Sequence, residues 1–96
     1  MAVEKFYLLF KDHAVIRMLE RGITKKEITE TINDGELIEE YADDNPYPSA
    51  LMFKIINAKP IHVIVAHNKN EHQKIIVTVY IPDSENFEAD FKTRKK

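Results

Sequence analysis

The strongest constraint on this chain is a set of three apolar runs with a two-residue period, packed too closely together to be anything but hairpins. ALMFKIIN (50–57), PIHVIVAHN (60–68) and KIIVTVYIP (74–82) are separated by the dipeptide AK and by a turn in NKNEHQ. Parallel neighbours need a crossover of a dozen residues or more, so these three strands must pair antiparallel. ELIEEY (36–41) adds a fourth strand whose charges suit an edge, joined to the next by a DDNPYPS loop rich in turn formers.

Before residue 35 the period changes. KDHAVIRMLERG predicts a helix with Asp12 as N-cap and Gly22 as the stop, its apolar stripe made of Val15, Ile16, Met18 and Leu19. ITKKEITETINDG predicts a second helix, with Thr24 and Glu27 spaced as a capping box, Ile28 and Ile32 on one face, and Gly35 as the stop. DSENFEADF predicts a short closing helical turn capped by Asp83 or Ser84, followed by a basic tail. Helices first and short-looped strands afterwards give an α+β class: two N-terminal helices packed on a four-stranded antiparallel sheet.

Ninety-six residues suffice for one core, so residues 1–96 are expected to form one domain. No apolar run approaches the length of a membrane span, and the five-residue apolar stretch near the start is too short for a secretory signal. The absence of cysteine excludes disulfides and thiolate zinc sites, and a cytoplasmic location is expected. The net charge of −2 hides an uneven distribution. Residues 27–50 hold eight carboxylates and no Lys or Arg, whereas the last five residues are almost all basic. Solvated faces are one reading of that asymmetry; a polarised surface with one basic pocket is the other.

Alternation sorts the strand residues into two sets. Leu51, Phe53, Ile55, Ile61, Val63, Val65, Ile75, Val77, Val79 and Ile81 form an aliphatic side expected to bury the helices. Lys54, His62, Thr78 and Tyr80 fall on a mixed side. An amine, an imidazole and a phenol emerging together would give a fixed cation, a titratable base and a hydroxyl. The plainer alternative is a satisfied core histidine, an amphipathic tyrosine and a snorkelling lysine. On the first helix His13 and Arg17 are one turn apart, as a functional pair or as surface partners of Asp12 and Glu20. His62, His67 and His72 lack metal-ligand spacing, and neither a metal nor a cofactor is expected. No phosphate loop, HExxH or G-x-S-x-G element is present.

Taken together and in order, HAVIRMLERGI, NPYPS, KPIHVIVA and IIVTVYIP resemble a family of small prokaryotic domains of unassigned function. Its pattern is H-A-x-x-R-M-x-x-R-G-I, P-Y-P, P-x-H-V-x-V-A and T-V-Y-x-P, with a basic position near the C-terminus, and the similarity covers roughly residues 12–94. Its members are often encoded beside a zinc-finger antitoxin. The resemblance implies a RelE/MqsR-like toxin of a type II toxin–antitoxin pair that cleaves RNA without a metal. RNA is then the substrate and a zinc-finger antitoxin the partner. Carried over, the motifs fall on His13, Arg17, Arg21, His62, Tyr80 and Arg94; Lys54 and Thr78 come from alternation alone. The chain departs from the pattern in being acidic overall and in placing Phe87 where the family commonly has Trp. Under this reading His62, Lys54, Tyr80, His13 and Arg17 are catalytic, and Arg21, Arg94 and Thr78 bind substrate. His62 is expected as acid/base centre, with His13 its counterpart and the cations on the phosphate oxygens. The alternatives are a non-catalytic module that binds an anion, peptide or protein in the same cleft, and a toxin fold that only dimerises.

Overall fold

The two helices form where their end signals lie. In the computed structural model, which describes residues 6–95, α1 spans Asp12–Arg21 and α2 spans Lys25–Asp34. Lys11, not Asp12, is the N-cap of α1; Asp12 sits in the first turn, where its carboxylate faces the positive end of the helix dipole. Gly22 closes α1 at φ +65, a left-handed conformation that favours glycine, and its N–H donates to Met18 O. The α2 capping box is complete: Glu27 N donates to Thr24 Oγ1 at 3.1 Å and Thr24 N to Glu27 Oε1 at 2.9 Å. Gly35 follows α2 in an extended conformation, so here the demand for glycine is one of space. A Cβ would lie 2.7 Å from Phe53 O and closer still to Thr31 O.

The sheet is not four-stranded or purely antiparallel. A first strand, β1 (Tyr7–Phe10), precedes the helices, followed by β2 (Glu36–Tyr41), β3 (Ser49–Ile56), β4 (Lys59–Asn68) and β5 (Gln73–Tyr80). The spatial order is β1-β5-β4-β3-β2, antiparallel from β2 to β5 but with β1 parallel to β5, so the sheet is five-stranded and mixed. The class remains α+β. YLLF escapes a sequence reading because it is short, does not alternate and runs almost directly into a helix. Its pairing comes from the far end of the chain.

Register corrects the assignment of faces. Directly opposed residues share a face, and Phe53 lies opposite His62, which lies opposite Tyr80. The helix side therefore carries Met52 and Lys54 with Ile61, Val63 and Val79, and β3 is reversed relative to the expected aliphatic set. A bulge adds to this: Ile64 pairs Thr78 but Val65 pairs Ile76, leaving Val77 extra. Past it, Ile76 joins the core while Ile75 faces away. Helix residues Ala14, Met18, Ile23, Ile28 and Ile32 close the core over Ile61, Val63, Val65, Ile76 and Val79. Val15, Ile16 and Leu19, expected in the buried stripe, are exposed.

The C-terminal segment, 81–95, covers the opposite face around Phe53, His62 and Tyr80. It opens with the expected turn: Asp83 caps it, accepting from Glu85 N and Asn86 N, and Phe87 N donates to Asp83 O at 3.1 Å. The turn stops there, and a second, centred on Asp90, follows, with Lys92 N and Thr93 N donating to its carboxylate. Between them Phe87 and Arg94 form an antiparallel bridge, and Phe87 is buried. Thr93 and Lys92, chiefly through their backbone N–H groups, hold the Asp90 carboxyl down to about 2. Among the described residues, no helix is long and apolar enough to cross a membrane.

Candidate functional site at the free end of strand five

β1 ends at Phe10, opposite Ile76, while β5 continues to Tyr80. Beyond Ile76 that edge of β5 has no strand beside it, and α1 packs against β5 instead. His13, Arg17 and Arg21 recur every four residues along one side of α1. All three line a cleft of about 360 Å³, facing Thr78 and Tyr80 of β5 and Asp83, Asn86, Phe87 and Arg94 of the C-terminal segment. Helix side chains thus meet residues from the opposite sheet face by reaching around an open strand edge.

Six of the eight residues singled out from sequence line this cleft: His13, Arg17, Arg21, Thr78, Tyr80 and Arg94. Two do not. Lys54 lies on the helix side, 2.9 Å from Glu30 and 3.9 Å from Asp34 of α2, because the phase of β3 is the reverse of the one expected. His62 shares a face with Tyr80 but lies behind it, fully buried. The rings of Phe87, Tyr80 and Phe53 surround it at 4.7, 5.1 and 5.4 Å. The expected solvent-reachable Lys54–His62–Tyr80 triad is therefore not formed, and the imidazole at 62 is sealed from any substrate.

Hydrogen bonding fixes the state of His62. Its Nε2 lies 2.7 Å from Phe91 O, which can only accept, so Nε2 carries the proton. Nδ1 is then the acceptor, and the Tyr80 hydroxyl donates to it at 3.2 Å. Burial pushes the His62 pKa below its ordinary value; Arg94 acts the same way, against Phe91 O and Glu39. Burial likewise pushes Tyr80 up, partly offset by Arg94. Both groups are thereby held neutral, with the Arg94 guanidinium beside the phenol oxygen.

Arg94 is fixed from the other side. Its Nε and Nη2 donate to Glu39 at 3.0 and 3.1 Å, and its guanidinium lies 5.0 Å from the centre of the Phe87 ring. Tyr41 donates to the same carboxylate, and hydrogen bonds from Arg94 and Tyr41 hold the Glu39 pKa low against burial. Glu39 and Tyr41 were not foreseen as site residues. Simple alternation would set Glu36 and Glu39 on opposite faces. A bulge after Leu37 brings both to the side of the C-terminal segment, where Lys92 and Arg94 meet them. Asp83 and Asn86 were missed as well, though Asp followed by Asn three residues later was a readable turn signal.

The acidic run 27–50 is in large part a set of internal partners. Glu27 pairs with Lys59 at 3.0 Å, Glu30 with Lys54, Glu36 with Lys92 and Glu39 with Arg94. Two of the three cleft cations are themselves paired, Arg94 with Glu39 and Arg17 with Glu20 at 3.1 Å, and the Asp83 carboxylate lies in the same wall. A larger cavity, about 420 Å³, lies on the helix side among Ile32, Met52 and Val65, with none of the eight residues in its wall. Among the described residues, no three His, Cys, Asp or Glu side chains are placed to hold a metal ion.

Residues 10–81 match the family described as Domain of unknown function (DUF4258). No curated protein and no solved structure matches the chain.

Proposed function

The chain belongs to the DUF4258 family of domains, and we propose that it is a metal-independent endoribonuclease, the toxin of a type II toxin–antitoxin pair of the RelE/MqsR kind. The observation that carries this reading is the convergence of an imidazole, three guanidiniums and two hydroxyls, from α1, β5 and the C-terminal segment, on one cleft. Guanidinium forks suit non-bridging phosphate oxygens, and imidazole suits proton transfer near neutrality. The roles differ from those expected of a His62-centred site. His13 takes the proton of the ribose 2′-OH, whose oxygen attacks the adjacent phosphorus. Arg17, Arg21 and Arg94 hold the charge that develops on the phosphate. The 5′-oxygen leaves and takes its proton from water, and the hydroxide so formed takes the proton from His13, giving a 2′,3′-cyclic phosphate, a 5′-hydroxyl and the free imidazole. Tyr80, whose own proton is held by His62, accepts from a ribose hydroxyl, a contact that DNA lacks. His62 is a positioning residue.

The test is incubation of the purified protein with single-stranded RNA in excess chelator. Fragments ending in 2′,3′-cyclic phosphate are expected, with the rate falling about 10²–10⁴-fold in His13→Ala. RNA left intact across many sequences, ribosome-bound messages included, overturns the reading. Relief of growth arrest by a co-expressed zinc-finger protein tests the partner half of the proposal. One observation favours a second reading, a non-catalytic binding module: Arg94 is already engaged by Glu39. Binding of RNA, or of another anion, without cleavage would select it.

A further inference from the structure

The two edges of the sheet are treated differently. β2, at one edge, carries Glu36, Glu39 and Glu40 and a bulge, devices that discourage another strand from adding on. β1, at the other, reads YLLF, with no charge, no proline and an unbroken register from Tyr7 to Phe10. Tyr7, Leu8 and Leu9 are 76%, 36% and 43% exposed.

Backbone direction adds to the asymmetry. Tyr7 N donates to His72 O and Lys11 N to Ile76 O, so residues 7, 9 and 11 face β5. In a parallel ladder the intervening residues, Leu8 and Phe10, turn their N–H and C=O groups outward. Among the described residues no strand pairs with them.

We propose that the outer edge of β1 pairs with β1 of a second copy of this chain, antiparallel about a two-fold axis at Leu9. Leu8 of one chain then exchanges both hydrogen bonds with Phe10 of the other, and the reverse. The two Leu9 side chains meet at the axis as a non-hydrogen-bonded pair. A second copy is the fitting occupant because the edge is uncharged, so it meets itself without repulsion, and its outward groups are self-complementary in this register. The blunted β2 edge keeps the assembly closed at two chains, because head-to-tail addition would bring β1 against three carboxylates. Four residues a side bury far less than the roughly 1,600 Å² of a standard interface, so the dimer is weak and concentration-dependent. The cleft lies further along β5, at Thr78 and Tyr80, and takes no part.

Sedimentation equilibrium over a wide concentration range tests this. The wild-type mass should rise from one chain to two and no further. Leu8→Pro removes an outward N–H without touching the β5 ladder, and should stay monomeric with an unchanged circular dichroism spectrum. Leu9→Lys and Leu9→Glu should each be monomeric alone and form a mixed dimer when combined, which keeps the test decisive if the proline variant does not fold. A wild type that stays monomeric, one that grows past two chains, or a dimer indifferent to both Leu9 substitutions overturns the proposal.

Discussion

At the scale of single residues, His62 is the most informative side chain. It was expected as the acid/base centre, but it is buried behind the candidate cleft, neutral and bonded at both nitrogens. Because burial lowers its folded pKa below the ordinary value of about 6.5, the unfolded chain takes up a proton first on acidification. Its contribution to stability is therefore complete above that ordinary value and is lost as pH falls toward the lowered one. Thermal melts between about pH 7.5 and 5 should show a decline that is shallower in His62→Gln, with Glu39 adding its own loss only at lower pH. An equally steep decline in the variant would place the titration elsewhere. The two glycines make a second residue-scale comparison. Gly22→Asn should cost less than Gly22→Ala, since asparagine visits positive φ more readily. At Gly35 both substitutions should cost at least about 1–3 kcal/mol by denaturant unfolding, because there the obstacle is Thr31 O and Phe53 O.

At the scale of elements, two bulges and one short strand shape the site. Val77 as the extra residue in β5 lets Ile76 enter the core while Thr78 and Tyr80 turn toward the cleft. The β2 bulge gathers Glu36 and Glu39 under Lys92 and Arg94. β1 stops early and so exposes the edge of β5 to α1. The C-terminal segment then seals His62 with Phe87 and supplies Arg94. Phe87→Ala should destabilise the fold by about 3–5 kcal/mol and let water reach His62, moving its titration back toward the ordinary range, as proton NMR of the imidazole would show. An unshifted titration would mean that other groups provide the seal.

At the scale of the whole molecule, the chain is acidic overall and the proposed target is a polyanion, so the test is electrostatic. Carboxylates of 27–39 are matched with Lys54, Lys59, Lys92 and the cleft's own Arg94, which leaves Arg17 and Arg21 of α1 as the cations through which the cleft would meet phosphate. Binding of single-stranded RNA should weaken with salt, and Arg17→Gln should reduce the slope of log K against log salt by about 0.7. A slope unaffected by that change would remove Arg17 from the phosphate track. If affinity proves independent of salt, the electrostatic basis of the cleft fails with it.

The local signals in the sequence were sufficient for the helices, their stops at Gly22 and Gly35, the Thr24–Glu27 box and the hairpin strands, because each depends on residues a few positions apart. Of the cleft, the four-residue spacing of His13 and Arg17 and the alternation that sets Thr78 and Tyr80 on one face were local signals too, whereas Arg21 and Arg94 came only from the family resemblance. Which face Lys54 takes, whether His62 meets water, and where YLLF pairs were decided only by tertiary structure. Each of these depends on strand register, and register is set by which distant strand lies alongside and where a bulge shifts the count by one. A single-residue slip exchanges the two faces of a strand, and local periodicity has no means of recording it.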